Sequence, residues 1–133
     1  MRHRQQHRVY FSMGTNINQL VHMRNARQYL QTLFQEVHFS TEAWTEPIGI
    51  PSDPFLNCMG MGITTHGRNQ IERALKQIQR KCGDSKGKRR LHQIVMDIDL
   101  LQYDDERVET EDWERDYIQR QYKELKYIDS TIV

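Results

Sequence analysis

Hydrophobic positions along this chain alternate between a period of two and a period near 3.6, so strands and helices take turns. Val9 to Met13 reads as a first strand, closed by Gly14-Thr15-Asn16, with Asn16 placed to cap the next helix. Leu20, Met23, Ala26, Tyr29, Leu30 and Phe34 recur at helical spacing, which predicts an amphipathic helix over 17–34 with these positions in the core. Val37 to Trp44 predicts a second strand. All three prolines lie in 45–54, which must be a loop. Phe55 to Thr64 predicts a third strand with Cys58, Gly60 and Gly62 on one face and Met59, Met61 and Ile63 on the other. Paired glycines on one strand face mark a close approach to the backbone, by a helix or by a ligand. Ile71, Leu75 and Ile78 predict a second amphipathic helix over 68–81, followed by a loop over 82–90. Val95 to Leu101 predicts a last strand and Tyr103 to Glu106 a turn. Trp113, Tyr117, Gln121 and Leu125, four apart, predict a terminal helix. Glu114 and Asp116 suit its first turn, and Lys123 and Lys126 its last, as the helix dipole prefers.

The order β-α-β-β-α-β plus a terminal helix predicts an α+β fold: a ferredoxin-like antiparallel sheet with helices on one face and a C-terminal helix. A chain of 133 residues holds one domain. Residues 1–8 read as a flexible basic lead-in, 9–128 as the domain and 129–133 as a frayed tail. His3 and His7 could share a metal on paper, but fraying is the simpler reading of that lead-in. Hydrophobic residues make up 37% of the chain and net charge is only +1, so global electrostatics name no partner. Cys58 and Cys82 fit neither a metal spacing nor a disulfide framework, which suits a reducing cytoplasm. No apolar run approaches the roughly 20 residues of a membrane span, and no signal-peptide core follows the basic start. A monomeric cytoplasmic protein is expected.

The chemistry concentrates in Val95-Met96-Asp97-Ile98-Asp99-Leu100-Leu101. Strands use Asp sparingly. Asp97 and Asp99 share a face, while Met96, Ile98 and Leu100 point into the core. Two carboxylates about 7 Å apart repel by roughly 2 kcal/mol at an effective dielectric near 20. A divalent cation converts that cost into attraction, and Mg²⁺ commonly takes one or two carboxylates plus phosphate oxygens. A solvated polar face is the competing reading. The preceding loop, Cys82 to Arg90, is no P-loop. Its Gly83…Gly87-Lys88 spacing is one residue short, no Ser or Thr follows the lysine, and a helix precedes it. Its cations still stand directly before the carboxylate strand, where a polyphosphate would be held, unless the loop is simply solvated. Nucleic acid is a poor fit to the cluster at 80–90. No aromatic pair of the RNA-recognition kind lies on the central strands, and the acidic stretch 104–116 repels a backbone.

Several segments together resemble the 6-hydroxymethyl-7,8-dihydropterin pyrophosphokinase family, folate-pathway enzymes that move diphosphate from ATP to a pterin alcohol. They are Val9 to Asn16, Thr45-Glu46-Pro47-Ile48-Gly49, Pro54-Phe55-Leu56-Asn57, Met96 to Leu101, and Glu114-Arg115-Asp116-Tyr117-Ile118, in order and at nearly the family's spacing. The resemblance implies that Asp97 and Asp99 hold two Mg²⁺ ions and that Phe55 and Tyr117 sandwich the pterin. It also implies that Asn57 bonds the pterin edge, with Thr45, Pro47 and Ile48 lining the pocket. ATP would be met by Arg115 and by the Gln79, Lys86 and Arg90 positions. Small-molecule substrates, ATP and a pterin alcohol, are then the partners.

The chain departs from the family pattern at the phosphate clamp. Leu91, His92, Gln93 and Ile94 stand where a Trp-Gly-Pro-Arg run is usual, and Asp84 replaces an arginine. Gln79 replaces a glutamate, and Glu109-Thr110 replaces a His-Pro pair. Losing such groups costs a few kcal/mol each in transition-state stabilisation. A non-catalytic homologue that binds a nucleotide or pterin-like ligand is therefore the alternative.

Overall fold

The computed structural model describes residues 5–132. One sheet, antiparallel throughout, is built from β1 (His7–Thr15), β2 (Glu36–Phe39), β3 (Ala43–Thr45), β4 (Phe55–Thr64), β5 (Asp97–Tyr103) and β6 (Glu106–Arg107). Its order is β2-β4-β1-β5-β6, with β3 also pairing β4. Among the described residues four helices accompany it: α1 (Gln19–Leu33), α2 (Arg68–Lys81), the short α3 (Lys86–Arg90) and α4 (Asp116–Ser130). A 3-10 turn over Glu111–Glu114 leads into α4. Among the described residues no helix is long and apolar enough to cross a membrane.

The sheet is covered on both faces. Val9, Phe11, Met13, Cys58, Ile98 and Leu100 pack with Met23, Ala26 and Leu30 of α1 and Ile71, Leu75 and Ile78 of α2. Tyr10, Met59, Met61, Ile63 and Leu101 pack on the other side against Ile118 and Leu125 of α4. The period-two alternation of β4 feeds both cores, which is why that strand is buried along nearly all its length. The glycines on its α1/α2 face admit aromatic rings. A Cβ at Gly60 would lie 2.2 Å from the Phe11 ring, and one at Gly62 2.5 Å from Phe34. Phe11 and Phe34 stack there at 5.5 Å between centroids.

Several expectations need correction. The first strand starts at His7, inside the expected lead-in, because His7 and the Arg8 amide both bond the Asp104 carboxylate, at 2.7 and 3.0 Å. The paper pairing of His3 with His7 involves His3, which lies outside the described residues, as does Val133 at the tail. Residues 129 and 130 belong to α4 rather than to a frayed tail, and Asp129 pairs with Arg8 and Tyr10. Asn18, not Asn16, occupies the N-cap of α1. Leu20 is 69% and Tyr29 39% exposed, so those two positions leave the core stripe. The strand expected over 37–44 breaks in two. Four steps from Phe39 to Ala43 face three from Gly60 to Asn57, and Ser40 bonds Met59 through both its amide and its hydroxyl across that bulge. The basic loop contains α3, capped by the Ser85 hydroxyl, which accepts from the Lys88 amide.

Candidate functional site

The alternation of β5 sets the centre of the site. Met96, Ile98 and Leu100 are buried, and Asp97 and Asp99 project from the opposite face. Asp99 pairs across the ladder with Ser12 and Asp97 with Gly14. Gly14 has a reason to lack a side chain. A Cβ there would press on Asn57 Oδ1 at 3.3 Å and approach the Phe55 ring at 3.7 Å.

A slot of about 270 Å³ opens over these residues, walled by Phe55, Tyr117, Ile48 and Ile94 and floored by Gly14, Asn57, Asp97 and Asp99. A larger cleft of about 910 Å³ runs along α2 and β5, carrying Arg73, Lys76 and Arg80. The two meet at Asp99 and Asp112. Asn57 is held rigidly: its Nδ2 donates to Thr45 Oγ1 at 2.7 Å and Ala43 O at 3.2 Å, while Gln121 donates to its backbone carbonyl at 3.2 Å. These bonds commit the amide nitrogen to β3 and leave Oδ1 as the acceptor beside Gly14. Asn16 does for the opposite rim what it was expected to do for α1. It bonds His92 O and the Ile94 amide at 2.8 and 2.7 Å, fixing Ile94 at the slot.

Each carboxylate carries its own cation. Lys76 Nζ donates to Asp99 Oδ1 at 2.8 Å, and Arg89 Nη2 donates to Asp97 Oδ1 at 3.2 Å. Asp84 does not confront the site as a bare negative charge. It accepts Arg89 Nε at 2.7 Å and thereby aims the guanidinium at Asp97 and Met96 O. Burial, then the proton shared with Asp99, pushes the Asp97 carboxyl up to about 6, against the pull of Lys76 and Arg89. Burial also presses Asp99 upward, but the hydrogen bonds from Asp97 and Lys76 outweigh it and hold Asp99 below the ordinary range.

Of the residues singled out from sequence, the slot gathers Thr45, Ile48, Phe55, Asn57, Asp97, Asp99, Arg115 and Tyr117. Pro47 does not line it; Glu46 and Ile50 do. Lys86 and Arg90 are exposed on α3 and line neither cavity, and the cation that α3 delivers is Arg89. Gln79 is nearly buried, and its Oε1 accepts from Lys76 Nζ at 3.0 Å and the Ile98 amide at 2.6 Å. It braces the site from behind. Arg115 is held by Asp112, Nε to Oδ1 at 3.1 Å. Lys76 and Asp112 were not singled out from sequence, Arg89 was read there only as one of the basic cluster before the carboxylate strand, and Gly14 only as the close of the first strand.

A family model described as 7,8-dihydro-6-hydroxymethylpterin-pyrophosphokinase (HPPK) matches residues 10–127. No curated protein matches the chain.

Proposed function

The chain belongs to the 7,8-dihydro-6-hydroxymethylpterin-pyrophosphokinase family, and from that premise we propose that it transfers diphosphate from ATP to a 6-hydroxymethyl-dihydropterin in a Mg²⁺-dependent reaction of folate biosynthesis. One observation carries the reading: an aromatic-walled slot that holds the acidic pair Asp97 and Asp99 meets a larger cation-lined cleft at Asp99. The strand order supports a ferredoxin-like sheet, but that fold serves many functions, so the site must decide.

The slot takes the pterin. Phe55 and Tyr117 supply aromatic walls, and Asn57 Oδ1 accepts an N–H from the heterocycle edge. The cleft takes the nucleotide, with Arg73, Lys76 and Arg80 along its wall. The pterin hydroxymethyl oxygen then forms a bond to the β-phosphorus, the bond from that phosphorus to the α,β-bridging oxygen breaks, AMP departs, and the hydroxyl proton is released. Such transfers depend on alignment and charge neutralisation. Arg89 and Arg115 contribute fixed positive charge at the junction, and Asp84 and Asp112 fix where those guanidinium groups point.

The acidic pair fits a divalent cation completed by phosphate oxygens. Among the described residues no group of three or more His, Cys, Asp or Glu forms a cage, and Mg²⁺ needs no such cage when a polyphosphate supplies oxygens. When bound, the ion offsets charge on the transferring group. The direct bonds of Lys76 and Arg89 to the carboxylates favour a second reading, a relative that binds ligand without turnover. Incubation with ATP, Mg²⁺ and 6-hydroxymethyl-7,8-dihydropterin separates the two: pterin-dependent AMP supports catalysis, and ligand binding without AMP supports the second reading.

A further inference from the structure

Lys76 differs from an ordinary surface lysine in how completely it is bound. Its ammonium has three acceptors: Asp99 Oδ1 at 2.8 Å, Ile98 O at 2.8 Å and Gln79 Oε1 at 3.0 Å. Three acceptors use all three of its protons. Gln79 is itself locked by the Ile98 amide, so the cradle is preformed by α2 and β5 together. The charge thus sits at a fixed point on the cleft side of Asp99, and Arg89 holds the corresponding oxygen of Asp97. Among the described residues, the Oδ2 atoms of the two carboxylates accept no N–H, and both side chains line the slot. Two such oxygens on neighbouring side chains suit one bridging cation. A second divalent ion on the cleft side of Asp99 would meet an ammonium already bonded there, and like charges at contact distance exclude one another.

We propose that Lys76 is a resident counterion that takes the place of a second divalent cation beside Asp99, so the site binds one divalent ion per chain. This inference rests on the proposed nucleotide site for its polyphosphate ligand, but not for its count of ions. The arrangement replaces an exchangeable metal with a covalently attached charge. It also makes Gln79 a positioning residue, because its amide oxygen holds the ammonium.

The test uses Mn²⁺ as a paramagnetic probe with the whole protein, with and without α,β-methylene-ATP, whose α,β link cannot be cleaved. Wild type is expected to bind one Mn²⁺ per chain, with an electron paramagnetic resonance spectrum free of Mn–Mn coupling. Lys76→Gln is expected to admit a second, coupled Mn²⁺ in the presence of the analogue and to bind Mn²⁺ alone at least about tenfold more tightly. Two coupled ions in wild type would overturn the proposal without any variant being made. A single ion and unchanged affinity in a folded Lys76→Gln, or in Lys76→Ala if the first fails to fold, would overturn it as well. Failure of the analogue to bind would count against the nucleotide site, while the tighter Mn²⁺ binding of Lys76→Gln in its absence would still support the resident counterion.

Discussion

Replacing Asp97 by asparagine should stabilise the folded protein, although it removes a residue central to the site. A carboxyl pushed from 3.8 up to about 6 carries about 3 kcal/mol of penalty against ionisation at pH 7. Its side chain is 39% exposed, so solvent screening reduces that penalty to about 1–1.5 kcal/mol. The asparagine side chain would keep the shape and remove the repulsion from Asp99, and Arg89 would keep Asp84 as its partner. The sign follows from the raised value in the folded state. The favourable contribution of protonated Asp97 is complete below about pH 4 and is lost as pH rises through about 6. For a domain of this size, about 1–1.5 kcal/mol corresponds to roughly 3–6 °C in Tm. Calorimetry in EDTA should therefore show Asp97→Asn above wild type at pH 7.5, with the gap closing near pH 4.5. Asp99→Asn should move the opposite way at pH 7.5, because Lys76 loses the charged partner that holds Asp99 low. A Tm for Asp97→Asn that falls at pH 7.5, or a gap indifferent to pH, would refute the reasoning.

Three further outcomes follow from the packing and the site. Gly60→Ala forces a methyl into the Phe11 ring and should cost about 1–3 kcal/mol in urea unfolding, whereas Gly87→Ala, with no atom nearer than 4.0 Å, should be neutral or slightly stabilising. Arg89→Ala should raise the KM for ATP about tenfold or more by removing a charge-assisted contact. Lys86→Ala and Arg90→Ala, whose side chains line neither cavity, should change it less than about twofold. In calorimetric titration Tyr117→Ala should weaken pterin binding about two- to tenfold, the range aromatic stacking spans, while Tyr117→Phe keeps the ring and should bind as wild type.

The fold was legible where one periodicity ran unbroken. β4 and α2 were read with their observed ends because alternating Met and Gly in one, and Ile71, Leu75 and Ile78 in the other, leave no competing pattern. Reading failed where tertiary contacts overrode local pattern. Ser40 replaces a ladder partner and splits a strand, and Asn16 is diverted from helix capping to the 92–94 loop. The carboxylate pair was visible because two aspartates sat in a strand, whereas Phe55, Asn57 and Tyr117 were named only through the family resemblance, since such residues at a strand start or on a helix read by themselves as packing. The individual cations bonded to that pair were not visible. Lys76 looks like any polar helix position, and Arg89 is one of several basic residues in a row that only the folding of α3 and its bond to Asp84 distinguishes. The conflict that Asp84 poses for a phosphate site on paper is eased for the same reason, since Asp84 is bonded to Arg89 of α3, whose guanidinium it shares with Asp97.

The central claim is that slot and cleft form one site that joins a pterin alcohol to a diphosphate. Single-turnover AMP formation from ATP, measured with Mg²⁺ in the presence and absence of 6-hydroxymethyl-7,8-dihydropterin, tests it most directly, with Asp97→Asn as the folded control. The account predicts AMP that appears only with the pterin and is lost in Asp97→Asn. Absence of AMP from folded wild type that binds both ligands, or equal AMP from the control, would contradict it.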